Sequence, residues 1–367
     1  MNTSPDVRLS LPSKGRLSEA VLDSLAACGL EVKKPNPRQY VARIPALPGL
    51  TVLFQRPGDI VVSVRDGSVD FGITGMDMVA ERQGANGRVL VIHDALGFGR
   101  CRLCLAVPES WQTVRTVADL ARHSDSLAHP LRVATKFPQL TSAFLTGHGV
   151  PSFTLIQADG TLEVAPAIGY ADLIADLVSS GQTLRDNRLC LLEDGTILHS
   201  QAALIANRNA LQARPQVLGV ARQMLELIEA YLRAVDHLAV FVNMRGPSPE
   251  AIAERMFAQE SLSGLQGPTV SPVILRDGNS NWYAVQIVVR REQLFQAVAE
   301  LRSIGGSGVV VTPLAYIFEE EPARYRAMMQ AIQKGQHTPV RATETVRRVA
   351  NPPDNGQTRG KEDENPR

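Results

Sequence analysis

Asp172-Leu-Ile-Ala-Asp176-Leu-Val-Ser179-Ser180-Gly181-Gln182-Thr183-Leu184 decides how this chain is read. It is an apolar run with acids on one face, and it ends in a small turn rich in hydroxyls and glycine. Helix and strand both put Asp172 and Asp176 on one face, because four residues are near one helical turn and also an even strand count. A strand is the expectation, since a strand feeding a tight turn and then a helix is the usual phosphate-binding arrangement. The two carboxylates then sit roughly 13 Å apart, and only Asp176 is close to the turn. Beyond the turn, Leu184 to Leu189 can start a helix. Such a turn leaves backbone N–H groups unpaired, and a helix N-terminus favours negative charge, so the site suits a phosphate. An ionised carboxylate only accepts hydrogen bonds, which suits sugar hydroxyls. A phosphate cradle beside a hydroxyl acceptor reads as a site for a phosphorylated ribose.

Working outward, Val7 to Leu11 is a strand, followed by the loop Pro12-Ser13-Lys14-Gly15-Arg16 and a helix with Leu17, Val21, Leu25 and Cys28 on one stripe, stopping at Gly29. Leu50 to Phe54, Asp70 to Thr74, Val89 to Ile92, Leu103 to Val107 and Leu131 to Thr135 also read as strands. Helices are expected around Asp59 to Arg65, Asp77 to Arg82 and Gln139 to Gly147. The alternation argues for an α/β region with mostly parallel sheets. Val217 to Val235 is a long, apolar-striped connecting helix. Leu238 to Asn243, Ser248 to Phe257, Thr269 to Leu275, Trp282 to Val289, Gln293 to Ile304 and Val309 to Pro313 then follow in βαββαβ order. That order suggests a ferredoxin-like sandwich, a common small regulatory module. From about Gly335 the chain turns polar and rich in Pro, Asn, Gly and charge, and it is expected to be a disordered tail.

The 367 residues exceed one compact core, so two or three domains are expected. A net charge of +1 gives no broad field for nucleic acid or an anionic membrane. Apolar runs are too short to span a bilayer, and Met1 to Pro5 lacks the apolar core of a signal peptide. Four scattered cysteines fit a cytoplasmic, thiol-reduced protein. Cys101 and Cys104 form a C-x-x-C, but residues three apart on a strand point to opposite faces, so a structural role is expected. No other C-x-x-C or His pair completes a zinc set.

Other segments carry weaker signals. Lys14-Gly15-Arg16 follows a strand and precedes a helix, where it could meet a phosphate or simply face solvent. Arg56 stands at a strand end, where a guanidinium could clamp a pyrophosphate or merely cap a turn. Asp70-Phe-Gly72-Ile-Thr74-Gly75-Met-Asp77 reads as a buried strand ending at the ligand-accepting edge of an open sheet, with Thr74, Gly75 and Asp77 lining the crevice. Gly97-Phe98-Gly99 lacks the third glycine of a dinucleotide fingerprint, and no P-loop motif occurs.

These segments resemble the long, regulated form of ATP phosphoribosyltransferase, the first enzyme of histidine biosynthesis. The resemblance runs from Val7 to about Phe318. Its most specific motif is Glu163-Val-Ala-Pro-Ala-Ile-Gly169-Tyr-Ala-Asp172 continuing to Leu184, joined by Pro12-Ser-Lys14-Gly15-Arg16-Leu, Arg56-Pro-Gly-Asp59-Ile, Asp70 to Gly75, Arg132-Val-Ala-Thr135, Leu262 to Thr269 and Gly305-Gly-Ser-Gly308-Val. The resemblance implies a type II, two-lobed periplasmic-binding-protein-like catalytic unit over 1–212, with lobe I about 6–96 and 187–212 and lobe II about 97–186. A connecting helix at 213–236 and a ferredoxin-like regulatory domain at 237–320 would follow, with the tail at 335–367. It implies that ATP and phosphoribosyl pyrophosphate (PRPP) react with Mg²⁺, which enters on substrate rather than on a protein site. Carried over by position, Ser179, Ser180, Gly181, Gln182, Thr183 and Leu184 hold the 5′-phosphate. Asp176, with Asp172 and Glu163, serves the rest of PRPP. Lys14, Arg16 and Arg56 face pyrophosphate or ATP phosphates, and Arg16, Thr74, Gly75 and Asp77 lie near the nucleotide. Thr269 and the Gly305-Gly306 turn would sit near a feedback histidine, and the family assembles as dimers and hexamers. A prephenate dehydratase, or a ligand-binding relative without activity, is the alternative.

Overall fold

The computed structural model describes residues 6–34, 36, 39–274 and 281–333, the Arg16 side chain excepted; the expected tail at 335–367 lies outside them. The chain begins β1 (Val7–Pro12), α1 (Arg16–Ala27), β2 (Val41–Arg43), β3 (Leu50–Gln55), α2 (Pro57–Asp66), β4 (Phe71–Gly75), α3 (Met76–Arg82) and β5 (Val89–His93). It continues with β6 (Cys101–Pro108), α4 (Val117–Ser126), β7 (Leu131–Thr135), α5 (Pro138–Gly147), β8 (Phe153–Gln157), β9 (Leu173–Val178), α6 (Gln182–Asp186), β10 (Leu189–Ser200) and β11 (Ala202–Asn207). After α7 (Arg208–Ala213) and α8 (Pro215–Val235) come β12 (His237–Arg245), α9 (Pro249–Phe257), β13 (Thr269–Pro272), β14 (Trp282–Arg290), α10 (Leu294–Ser303), β15 (Ser307–Pro313) and α11 (Ala323–Gln333).

Two compact units emerge, one of 8–20 with 53–210 and one of 21–52 with 211–333. In the first, the strands of one sheet neighbour each other in the order β3-β1-β4-β11-β5, and those of the other in the order β10-β6-β9-β7-β8. Both sheets follow one plan. β1 and β4 are parallel, as are β7 with β8 and β9, while β11 and β6 run against both of their neighbours. The sheets are therefore mostly parallel, as expected, with one reversed strand inserted in each. The reversed β11, the bulged β10, the outer β8 and helix α4 were not expected from sequence. The run after Leu184 is also corrected: α6 is a short helix ending at Asp186, and Leu189 already opens β10.

Local chemistry explains these elements. Pro57 presets the first turn of α2, and Gly67 ends it in the left-handed region at φ 82°, donating its N–H to the Val64 carbonyl. Thr116 and Asp119 cap α4 reciprocally. Helix α2 buries Ile60, Val61 and Val64, each contributing about 1.5–3 kcal/mol. It lies so close to β4 that a Cβ on Gly72 would run into Ile60. One apolar core joins residues of both sheets, from Val61 and Ile205 to Leu103, Val133 and Leu173.

The other unit contains the βαββαβ module. Its sheet has the order β13-β14-β12-β15 with its strand pairings antiparallel among the described residues, the ferredoxin-like arrangement. Val240, Val242, Met244, Val285 and Ile287 of the sheet pack on Ile252 and Met256 of α9 and on Ala297 and Leu301 of α10. Helix α8 turns Val217, Ala221, Met224, Leu225 and Ile228 inward.

Candidate active site

The quoted stretch forms the centre of the second sheet. β9 is its middle strand, bordered by β6 and β7, and Asp176 stands opposite Cys104 in register. At the strand's carboxyl end Ser179 and Ser180 are exposed, and Gly181 adopts φ 73°. That left-handed residue reverses the chain so that Gln182 and Thr183 follow on the exposed side while Leu184 returns to the core at 7% exposure. Arg185 braces the turn, donating to the Ser180 carbonyl at 3.4 Å and to Gln182 Oε1 at 2.9 Å. Helix α6 has only five residues, so an anion at this turn would meet its amides more than a helix dipole.

Asp176 lies three residues before Ser179, with Leu177 N–H donating to its Oδ1 at 2.7 Å. Burial pushes its carboxyl above the ordinary range; the Leu177 amide and Lys136 pull it down, and the neighbouring Glu163 pushes it further up. A carboxylate of this kind is a more basic hydroxyl acceptor than a solvated one. Glu163, in the single turn Leu162–Val164, is half-buried.

Asp172 has a charged protein partner. It precedes β9, and both of its oxygens are engaged by Arg132: Nη2 donates to Oδ1 at 2.7 Å, and the Arg132 amide donates to Oδ2 at 2.8 Å. Burial pushes the Asp172 carboxyl up, but the Arg132 hydrogen bonds and charge outweigh it and hold the group low. Asp172 fastens the start of β9 to β7, and Arg132 is the partner that fixes its carboxylate. The sequence signal was present, because Arg132 alternates onto the same kind of strand face, but partner choice was not.

The remaining expected residues divide in the same way. Lys14 is exposed beside Gly15, which has φ 81°, and Arg16 opens α1 with its side chain outside the described residues. Arg56 is exposed at the N-cap of α2, directly after β3. Thr74 is fully buried and donates to the Pro57 carbonyl at 3.2 Å, so it holds the start of α2 below Arg56. Gly75 caps α3, and a Cβ there would strike the Asp77 carboxylate. Asp77 is itself buried; its amide donates to Ser200 Oγ at 3.0 Å, and that hydroxyl donates back to Oδ1. Thr74, Gly75 and Asp77 thus tie the end of β4 to the starts of α2 and α3 and to Ser200. In the C-terminal module, Thr269 begins the edge strand β13, whereas Gly305 and Gly306 lead into β15 at the other edge. One copy does not bring them into one pocket.

Sequence reasoning passed over Arg82, Lys136 and Asp159. Lys136 directly follows β7, as Arg56 follows β3, so the rule that ligands gather at strand carboxyl ends would have found it. Its Nζ is 3.0 Å from Asp159. Among the described residues no group of three or more His, Cys, Asp or Glu could hold a metal ion. Burial pushes Cys28 up to about 12 and raises Cys104 too, so neither is poised as a thiolate nucleophile. No helix among the described residues is long and apolar enough to cross a membrane.

Residues 56–230 match the family model for ATP phosphoribosyltransferase, and residues 234–316 match the one described as HisG, C-terminal domain. The chain is 47% identical over 329 residues to ATP phosphoribosyltransferase 2, chloroplastic, of Arabidopsis thaliana, covering 88% of this chain and 80% of that protein. It is 37% identical over 310 residues to ATP phosphoribosyltransferase of Gemmatimonas aurantiaca, covering 83% and 97%. The solved ATP phosphoribosyl transferase (HisG:HisZ) complex from Thermotoga maritima aligns at 24% identity and a TM-score of 0.48, over 61% of this chain and 98% of that one. With a transferase region and a C-terminal module in succession, the chain belongs to the ATP phosphoribosyltransferase family in its long form.

Proposed function

We propose that the protein catalyses the first step of histidine biosynthesis, converting ATP and PRPP to N1-(5-phosphoribosyl)-ATP and pyrophosphate. One observation carries this reading: a half-buried carboxylate, Asp176, raised by desolvation, stands three residues ahead of Ser179 in an exposed turn with a left-handed Gly181. The turn amides from Ser179 to Leu184 grip the 5′-phosphate, and Asp176 with Glu163 receives the ribose hydroxyls. Displacement at C1 builds positive charge on the ribose and negative charge on the departing pyrophosphate. The step needs no enzyme nucleophile; it needs a rigid sugar grip and cations on the leaving group. Lys14, Arg16 and Arg56 supply cations, and Asp176 supplies a fixed negative charge near the developing oxocarbenium.

The family is metal-dependent, and Mg²⁺ is the ion proposed, entering on the diphosphate and neutralising the leaving group. Asp176 and Glu163 are oxygen donors of the type such an ion accepts. Histidine is the proposed inhibitor, acting through Thr269 and the Gly305-Gly306 turn. Their separation on opposite sheet edges supports a site completed within the proposed dimer-to-hexamer assembly. The composition supports a cytoplasmic protein without nucleic-acid or membrane partners. The test is absorbance on mixing ATP, PRPP, Mg²⁺ and pure protein: growth of the adduct signal with PRPP consumption supports the reading, and no PRPP consumption overturns it.

A further inference from the structure

We propose that Asp159 is a resident counter-ion of the leaving-group subsite, occupying with its carboxylate the cation field that the substrate's diphosphate takes over. This rests on the transferase reading above and assigns Arg82 and Lys136 to the same subsite.

The cations come from both sheets of the unit. Lys136 follows β7 and Asp159 follows β8, so the two stand at the carboxyl ends of adjacent parallel strands, with β9 and its turn on the other side of β7. Lys136 Nζ meets Asp159 Oδ1 at 3.0 Å. From the other sheet, Arg56 caps α2, and Arg82 ends α3 with its guanidinium against the first turn of α2; a Cβ on Gly58 would stand 2.9 Å from Arg82 Cζ. Neither arginine has an ion-pair partner among the described residues. Lys136, hydrogen-bonded to Asp159, holds that carboxyl below the ordinary range, and Arg56 and Arg82 add smaller pushes the same way. Three cations thus address one carboxylate, whose side chain remains 74% exposed. An isolated surface pair needs one cation; a field of three suits a polyanion.

The segment bearing Asp159 is built for displacement. Ala158 anchors it by donating to the Thr135 carbonyl at 3.2 Å. Beyond Asp159, Gly160 has φ 149° and Thr161 φ 49°, and a β-branched residue in the left-handed region marks a backbone held away from its preferred state. Two residues later comes Glu163, which acts on Asp176. Removal of Asp159 from the cations therefore moves the segment that carries the ribose-side acid.

The test is calorimetric titration with inorganic pyrophosphate in Mg²⁺ buffer for the wild type, Asp159→Asn, Lys136→Met and the double variant. Because Asn removes the competing charge, Asp159→Asn binds roughly two- to five-fold tighter, the span that an exposed ion pair supports. Lys136→Met binds more weakly, and adding Asp159→Asn to it recovers less than the gain seen in the wild-type background. Unchanged or weaker binding by Asp159→Asn overturns the proposal, as does a full, additive gain in the absence of Lys136. A wild type that consumes PRPP but shows no pyrophosphate binding refutes this subsite and leaves the transferase reading intact. A wild type that binds pyrophosphate without consuming PRPP does the reverse.

Discussion

Glu81, near the end of α3, accepts the backbone N–H of Gln139 in the first turn of α5 at 2.9 Å, joining helices that belong to different sheets. Its second oxygen accepts from Leu140 N at 3.0 Å, so one buried carboxylate caps a helix remote from it in sequence. Arg82 adjoins Glu81, and Lys136 lies just ahead of α5, so this contact registers two of the proposed anion-binding cations. Glu81→Ala leaves two amides without an acceptor and should cost about 2–3 kcal/mol of unfolding free energy, measured by denaturant titration.

The same residue sets a pH signature. Burial outweighs the two amide hydrogen bonds and raises the Glu81 carboxyl above its ordinary 4.5. Its contribution is therefore fully present below 4.5 and is lost as pH rises through the raised value. Relative to Glu81→Gln, the wild type should lose stability over that rise. Parallel Tm-against-pH curves for the two proteins would remove the effect from Glu81.

Asp176 must be ionised to receive a hydroxyl and to face positive charge. Since burial raises its carboxyl, the acid limb of kcat/KM should lie above the ordinary aspartate range, with rate falling as pH falls through it. Asp176→Asn should cost roughly 2 kcal/mol, more than a decade in rate, and lose that limb. Kinetics like the wild type's would place Asp176 outside the chemistry.

A Cβ added to Gly181 (φ 73°) would meet Arg185 Nη1 at 3.4 Å and Val178 Cγ1 at 3.8 Å, ordinary van der Waals contact. Gly181→Ala should thus cost only about 1–2 kcal/mol of stability from the left-handed backbone. Its main effect should be a raised KM for PRPP with little change in the KM for ATP. Equal changes in both would show that the turn does not hold the 5′-phosphate.

Asp172 and Arg132 provide the contrast. Arg132 lowers the Asp172 carboxyl below 3.8 despite burial, so this pair's stability is present above that value and is lost as pH falls through the lowered one. Asp172→Asn should lower Tm at neutral pH and leave kcat/KM nearly unchanged. A selective rise in KM for PRPP would return Asp172 to the substrate site.

The strand and turn of the candidate site were legible because their residues are contiguous: alternation names β9, and a glycine-hydroxyl turn follows at once. The flanking strands were not legible for physical reasons. Ala202–Asn207 is buried throughout, and short apolar runs do not distinguish strand from helix. Leu189–Ser200 is interrupted by Glu193-Asp194-Gly195, where its pairing with β6 shifts register. The roles of Glu81, Arg82 and Asp159 depend on packing between the two sheets; Glu81 and its partners are 58 and 59 residues apart. The pairing of Asp172 with Arg132 was not legible, because the pattern shows an acid's face but not which guanidinium meets it.

The most direct measurement is a crystal structure of the protein with PRPP and Mg²⁺. The 5′-phosphate should lie within hydrogen-bond distance of the amides between Ser179 and Leu184, with ribose hydroxyls on Asp176 and the diphosphate toward Arg56, Arg82 and Lys136. A sugar phosphate bound away from that turn, with Asp176 free of the ribose, would contradict the account.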